Sequence, residues 1–332
     1  MSEQKRLQKY YPGFDQDVLD RVSEVAEKQR ASSWEEIRST LPDTQIYSTK
    51  ESDIELMDII PREGYDDTWV YHLPMANPLS DNMRLRMATL ASANPDKRII
   101  SIGNPSGPGQ GIGKIPFGSI RSVWSGDLRA AVDPALRYLL DKGIVDVSHI
   151  GFSYGAEKAL AAARYAKNYD QNVSSGLFME PVALKSRSAI ELARDFNESG
   201  KALSDYIEAS ASQPVIEANA AASEKSRGLL GYALGLLRLS NIAIAHSLTK
   251  DSFEGNLVET LKNQEQMRAH LVWGSDSELS IGILMRAISR RIEEDFGQSR
   301  TTSIELEGQK HAMGDDVFLH TALVSQALKV SK

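Results

Sequence analysis

Residues 151–155 read Gly-Phe-Ser-Tyr-Gly, and they fall where the apolar run 147–153 gives way to a helical stretch beginning near Gly155. A hydroxyl at a sharp strand-to-helix turn is exposed at the tip of the strand, and small residues on either side let the backbone adopt strained angles there. Ser153 is therefore placed as a nucleophile. The same pentad would also suit a serine N-cap with glycines for close packing, so the choice rests on whether a base and an acid are positioned to serve it.

A serine requires a base for its proton, and histidine is the usual choice near neutral pH. Six histidines compete. His72, His149 and His270 lie inside expected strands, His246 lies in an apolar stretch, and His320 follows Val317 and Leu319 on the last helix. His311 alone sits in a polar loop, "EGQKHAMGDD", directly after the last expected strand. The base needs a carboxylate to fix its tautomer and stabilise the imidazolium. Asp276, which closes "HLVWGSD", has the best address; Glu180 at the end of "GLFME" is the alternative, and Glu278 is a further rival.

The elements that must carry these residues alternate in type. Residues 14–41 read as helical, with Val18, Leu19, Val22 and Val25 on one side, and residues 1–43 read as an extension packed outside the main sheet. Compact β-rich runs follow at 44–50, 54–63 and 68–75. Helix 80–93 then leads to strand 98–104, helix 126–143 to strand 147–153, and the helix from Gly155 to strand 176–182. A helix-rich insertion, 183–266, interrupts the alternation. It resumes with strand 268–276, a helix to about 296, strand 302–308 and a terminal helix. Short apolar strands divided by helices imply a mostly parallel sheet of about eight strands with helices on both faces, formed by 44–182 and 267–332. Ligands of such sheets bind at the carboxyl ends of the strands, where Ser153, Glu180, Asp276 and His311 all fall.

The chain order Ser153, Asp276, His311, with the elbow after the fifth of eight strands and a helical insertion after the sixth, resembles the α/β-hydrolase superfamily in its capped serine-hydrolase form. The resemblance implies a cap over the site, formed by 183–266, and an oxyanion hole of backbone amides. Tyr154 would supply one amide. The other would come from "LPMANP" after the third strand: aligning Met75-Ala76-Asn77-Pro78 with a His-Gly-Asn-Pro pattern gives Asn77, while Met75 or Ala76 could donate in its place. Members with that pattern that dehalogenate use an aspartate nucleophile, so a serine implies acyl chemistry.

Bulk composition narrows the substrate. The 332 residues carry 38 Lys and Arg against 45 Asp and Glu, a net charge of −7, which argues against nucleic acid or anionic membranes as partners. There is no cysteine, which excludes a thiol nucleophile and thiolate metal sites. No metal or cofactor is expected: no carboxylate or histidine cluster has ligand spacing. The glycine-rich stretch 103–114 fails the phosphate-loop pattern, because Pro108 replaces its first glycine and Ile115 follows Lys114. Residues 228–248 are apolar over a membrane-spanning length but carry Arg238, Asn241 and His246, so no span is expected. With no apolar leader near the start, cytoplasmic synthesis is the default. Leu229, Leu230, Tyr232, Leu234, Leu236, Leu237 and Leu239 could form an apolar underside of the cap, giving a small-molecule substrate a hydrophobic part, or could form the insertion's own core. Homo-oligomerisation is left open.

These readings converge on a serine hydrolase acting on an ester-like acyl substrate. A peptidase, amidase, thioesterase or carbon-carbon bond hydrolase would use the same fold, and a catalytically inactive binding or scaffold protein is the alternative from another class.

Overall fold

The computed structural model describes residues 2–74, 80–105, 117–201, 206, 216 and 239–329. Eight strands form one sheet in the order β1-β2-β4-β3-β5-β6-β7-β8. They are β1 (Gln45–Ser48), β2 (Asp53–Ile59), β3 (Asp67–His72), β4 (Lys97–Ile102), β5 (Asp146–Phe152), β6 (Asn172–Met179), β7 (Arg268–Gly274) and β8 (Thr301–Leu306). β2 runs antiparallel to both β1 and β4, and every pairing from β4 to β8 is parallel. All six residues of β4 are buried, whereas at the edges three of the four residues of β1 are exposed and only two of the six in β8 are buried. This is the burial expected of a parallel sheet covered on both faces.

Two helical layers do the covering. On one face, helices α1 (Glu3–Tyr10) and α2 (Gln16–Ala31) pack with α4 (Asp81–Ala93) and the C-terminal helix Val317–Lys329, around Leu7, Val18, Val22, Met87 and Phe318. Ser33 closes a capping box with Glu36 and starts α3 (Trp34–Ser39). On the other face lie α6 (Arg129–Asp141) and α7 (Tyr154–Tyr165), burying Leu139, Ala156, Ala159 and Leu160 against the strands. Helix α5 (Phe117–Trp124) precedes α6. β3 is followed by β4 on one side of it and β5 on the other, so the strand order reverses around β3. A crevice opens at the carboxyl ends of the strands at such a reversal.

Between β6 and β7 come α8 (Ala189–Lys201), α9 (Leu239–Leu248) and α10 (Phe253–Asn263). The leucines at 229–237 lie outside the described residues. No described helix is long and apolar enough to cross a membrane. Helix α11 (Gly282–Phe296) links β7 to β8, and a 3-10 turn, His311–Asp315, leads into the C-terminal helix, α12 (Val317–Lys329). The N-terminal region differs from its expected single helical stretch: it has three helices, and α1 begins well before residue 14.

Candidate active site

Ser153 occupies the junction between β5 and α7 with φ 55° and ψ −132°, a conformation that L side chains rarely adopt and that costs about 1–3 kcal/mol. The surrounding glycines make the turn sterically possible. A Cβ on Gly151 would lie 2.0 Å from the Gly155 carbonyl oxygen, and one on Gly155 would lie 2.1 Å from that of His72. The helix therefore passes over the strand ends at a distance only glycine allows. As the first residue of α7, Tyr154 presents its amide without an intrahelical acceptor, as every first-turn N–H does.

His311 and Ser153 meet across 158 positions of sequence, with His311 Nε2 2.9 Å from Ser153 Oγ. Both are nearly buried, and the Phe152 ring stacks on the imidazole at a centroid distance of 5.2 Å. The other ring nitrogen, Nδ1, lies 2.9 Å from Oε2 of Glu180. With Nδ1 protonated and donating to the carboxylate, Nε2 is left to accept from the serine hydroxyl.

Glu180 is fully buried and, like Ser153, has a left-handed backbone, φ 52°. A buried carboxylate is costly unless its lone pairs are satisfied. Here Oε1 accepts the Gly274 amide at 2.5 Å, and Oε2 accepts the hydroxyls of Ser277 and Ser280 at 2.6 Å each, in addition to the histidine. These three donors hold the carboxylate in place, and the alternation of strands and helices does not point to them. The signal for the hydroxyls is the serine spacing in "GSDSELS" after β7.

Asp276, the first expectation for the acid, does not reach His311. Its side chain is exposed and accepts from Ser275 Oγ at 2.8 Å, and only its backbone amide touches the histidine loop, donating to the Gln309 carbonyl at 3.0 Å. The sheet order supplies the reason: β6 lies beside β5, so a carboxylate at the end of β6 is one strand nearer the serine than one at the end of β7. Glu278 instead faces Lys310, 3.7 Å away. Asn77, Met75 and Ala76 lie outside the described residues.

Two buried ionisable groups on α7 flank the serine. Glu157 Oε1 accepts the amides of Val182 and Ala183 at 2.6 and 2.8 Å; burial pushes its carboxyl up to about 7. Lys158 donates to Asn104 Oδ1 at 2.8 Å, and Asn104 Nδ2 donates to the Pro74 carbonyl at 3.2 Å. Burial pushes the lysine down to about 7. A cavity of about 530 Å³ lies along α7, lined by Glu157, Arg164 and Tyr165 and not by Ser153. Among the described residues no group of three or more His, Asp or Glu is arranged to hold a metal.

No protein-family model and no curated protein matches the chain. Solved structures do resemble it. An esterase of Pyrococcus furiosus superposes with a TM-score of 0.53 at 12% identity, covering 89% of this chain and 94% of that one. An α/β hydrolase enzyme from a Medee basin deep-sea metagenome library gives 0.54 at 16%, covering 86% and 97%. A thermophilic esterase from Thermogutta terrifontis gives 0.51 at 13%, covering 87% and 100%. Across most of its length, this chain has the α/β-hydrolase fold.

Proposed function

We propose that the protein is a serine hydrolase in which Ser153, His311 and Glu180 form the catalytic triad. The observation that carries this reading is the unbroken chain of contacts from Ser153 Oγ through His311 to Glu180, two distances of 2.9 Å with a buried, multiply hydrogen-bonded carboxylate at the end. Nothing in the packing of an inert core demands a strained serine beside that pair.

In this mechanism Ser153 Oγ attacks the carbonyl carbon of an ester-like substrate while His311 Nε2 takes its proton. Glu180 stabilises the imidazolium through Nδ1 without itself becoming protonated. The carbonyl oxygen gains negative charge, which the Tyr154 amide would stabilise together with a second donor expected from residues 75–77, Asn77 first. His311 returns the proton to the leaving alcohol, and water repeats the sequence on the acyl-enzyme to release the acid. These steps require no cofactor. The esterases among the structures of similar fold support an acyl ester as substrate class, and the helical insertion between β6 and β7 would cap the site and contact its hydrophobic part.

The test is titration with a serine-reactive fluorophosphonate. Stoichiometric labelling of Ser153 that is lost in Ser153→Ala is expected; folded wild-type protein that takes no label would sink the hydrolase reading and leave a binding or scaffold role.

A further inference from the structure

The first helix reaches the rear of the histidine loop. Asp316, five residues after His311, is fully buried. Its carboxylate caps α12 by accepting the Leu319 amide at 3.0 Å. Among the described residues its countercharge comes from Arg6 of α1, 310 positions earlier, which grips both oxygens, Nη1 to Oδ2 and Nη2 to Oδ1, the latter at 3.0 Å. Arg6 is itself nearly buried and also binds Glu3, whose second oxygen pairs with Arg30 of α2. The chain Arg30-Glu3-Arg6-Asp316 is charge-balanced and leads from the outer helices to the residue that ends the histidine's 3-10 turn.

The surrounding packing makes this grip relevant to the site. Leu7 of α1 belongs to the same apolar cluster as Phe152 and Met313, which neighbour Ser153 and His311. A Cβ on Gly314 would lie 2.4 Å from the Phe152 ring, so the 3-10 turn is already pressed against the strand carrying the serine. A turn packed this tightly passes a displacement at Asp316 on to His311, and an imidazole moved by about 1 Å can cost 100-fold in rate.

We propose that Arg6 is a positioning residue for His311, and that α1 and α2 belong to the catalytic apparatus as the clamp that sets the depth and tilt of the histidine turn. This rests on the hydrolase reading of Ser153, His311 and Glu180. The measurement is the rate of Ser153 phosphonylation by a fluorophosphonate between pH 5 and 9 in full-length protein, with thermal unfolding recorded for each variant. Arg6→Gln is expected to slow labelling at least tenfold and to shift the pH midpoint of the profile, and Arg6→Lys to recover most of the rate. Asp316→Asn, which keeps the α12 cap, serves if Arg6→Gln does not fold, and should slow labelling similarly. Leu139→Ala, a loss of packing in α6 on the opposite face of the sheet, should label at the wild-type rate despite its lower unfolding temperature. Wild-type rate and midpoint in folded Arg6→Gln or Asp316→Asn overturn the proposal while leaving the triad standing. A wild-type protein that takes no label overturns the hydrolase reading and this proposal with it.

Discussion

The amide of Ser153 donates to the carbonyl of Met179 at 2.9 Å, tying the serine to the residue immediately before Glu180. Both Ser153 and Glu180 then leave their strands through left-handed backbone, φ 55° and 52°. The two strained turns are thus coupled across adjacent strands, and the strain is held by the sheet on which both sit.

That strain can be measured with the chemistry removed. Ser153→Ala and Ser153→Gly both lose the hydroxyl, but only alanine keeps a Cβ at positive φ. Ser153→Gly should therefore be more stable than Ser153→Ala by about 1 kcal/mol in denaturant titrations. Equal stabilities would mean that the turn carries no strain.

The two carboxylates after β6 and β7 should separate sharply in kinetics. Glu180→Gln should lower turnover by about 10⁴, the effect of an amide that favours the wrong histidine tautomer. Asp276→Asn, which alters an exposed side chain, should stay within a few-fold of wild type. Steady-state kinetics on p-nitrophenyl esters compares them, and a crippled Asp276→Asn beside an active Glu180→Gln would reverse the assignment.

Ser277 and Ser280 share one oxygen of Glu180 with the histidine. Each single alanine variant removes a hydrogen bond to a buried charge, worth about 1.5–3 kcal/mol. Because either hydroxyl can partly cover for the other, the double variant should lose more stability than the sum of the singles. An additive double-mutant cycle would show that the two donors act independently.

Glu157 gives a pH dependence of known sign. Burial pushes its carboxyl from 4.5 up to about 7, so between these values the folded protein keeps a proton that the unfolded chain releases. Stability contributed by the protonated carboxyl is present below pH 4.5 and is lost as the pH rises through 7. Across that window wild type should lose about 3 kcal/mol relative to Glu157→Gln, whose amide oxygen can still accept the Val182 and Ala183 amides. Parallel stability curves for the two proteins would show that the carboxyl titrates normally.

The central strands were legible because most are short apolar runs between turn residues, and a run such as 98–104 fits few other structures. Ser153 and His311 were legible from their addresses at strand ends. The acid was not, since choosing between Glu180 and Asp276 depends on lateral strand order and side-chain direction, which periodicity does not encode. The hydroxyls of Ser277 and Ser280 left only a faint trace in a serine-rich turn. Arg6 left none: its partner is 310 residues away, and a single arginine on an amphipathic helix looks like any solvated charge. Helix α1 left no periodic signal because "EQKRLQKY" has one aliphatic residue, Leu7, and its burial is decided by α2 and α12.

The pairing of Arg6 with Asp316 also bears on biosynthesis. During vectorial translation the arginine emerges 310 residues before its aspartate exists, and Leu7 waits likewise for Met313 and Phe318. Contacts of such separation form late because the intervening loop must first be closed. The histidine turn is therefore among the last parts of the molecule to be fixed, and a ribosome-bound chain lacking residues 309–329 would display a formed elbow with no base beside it. Chemical competence would arrive only once residues 309–329 have joined the fold.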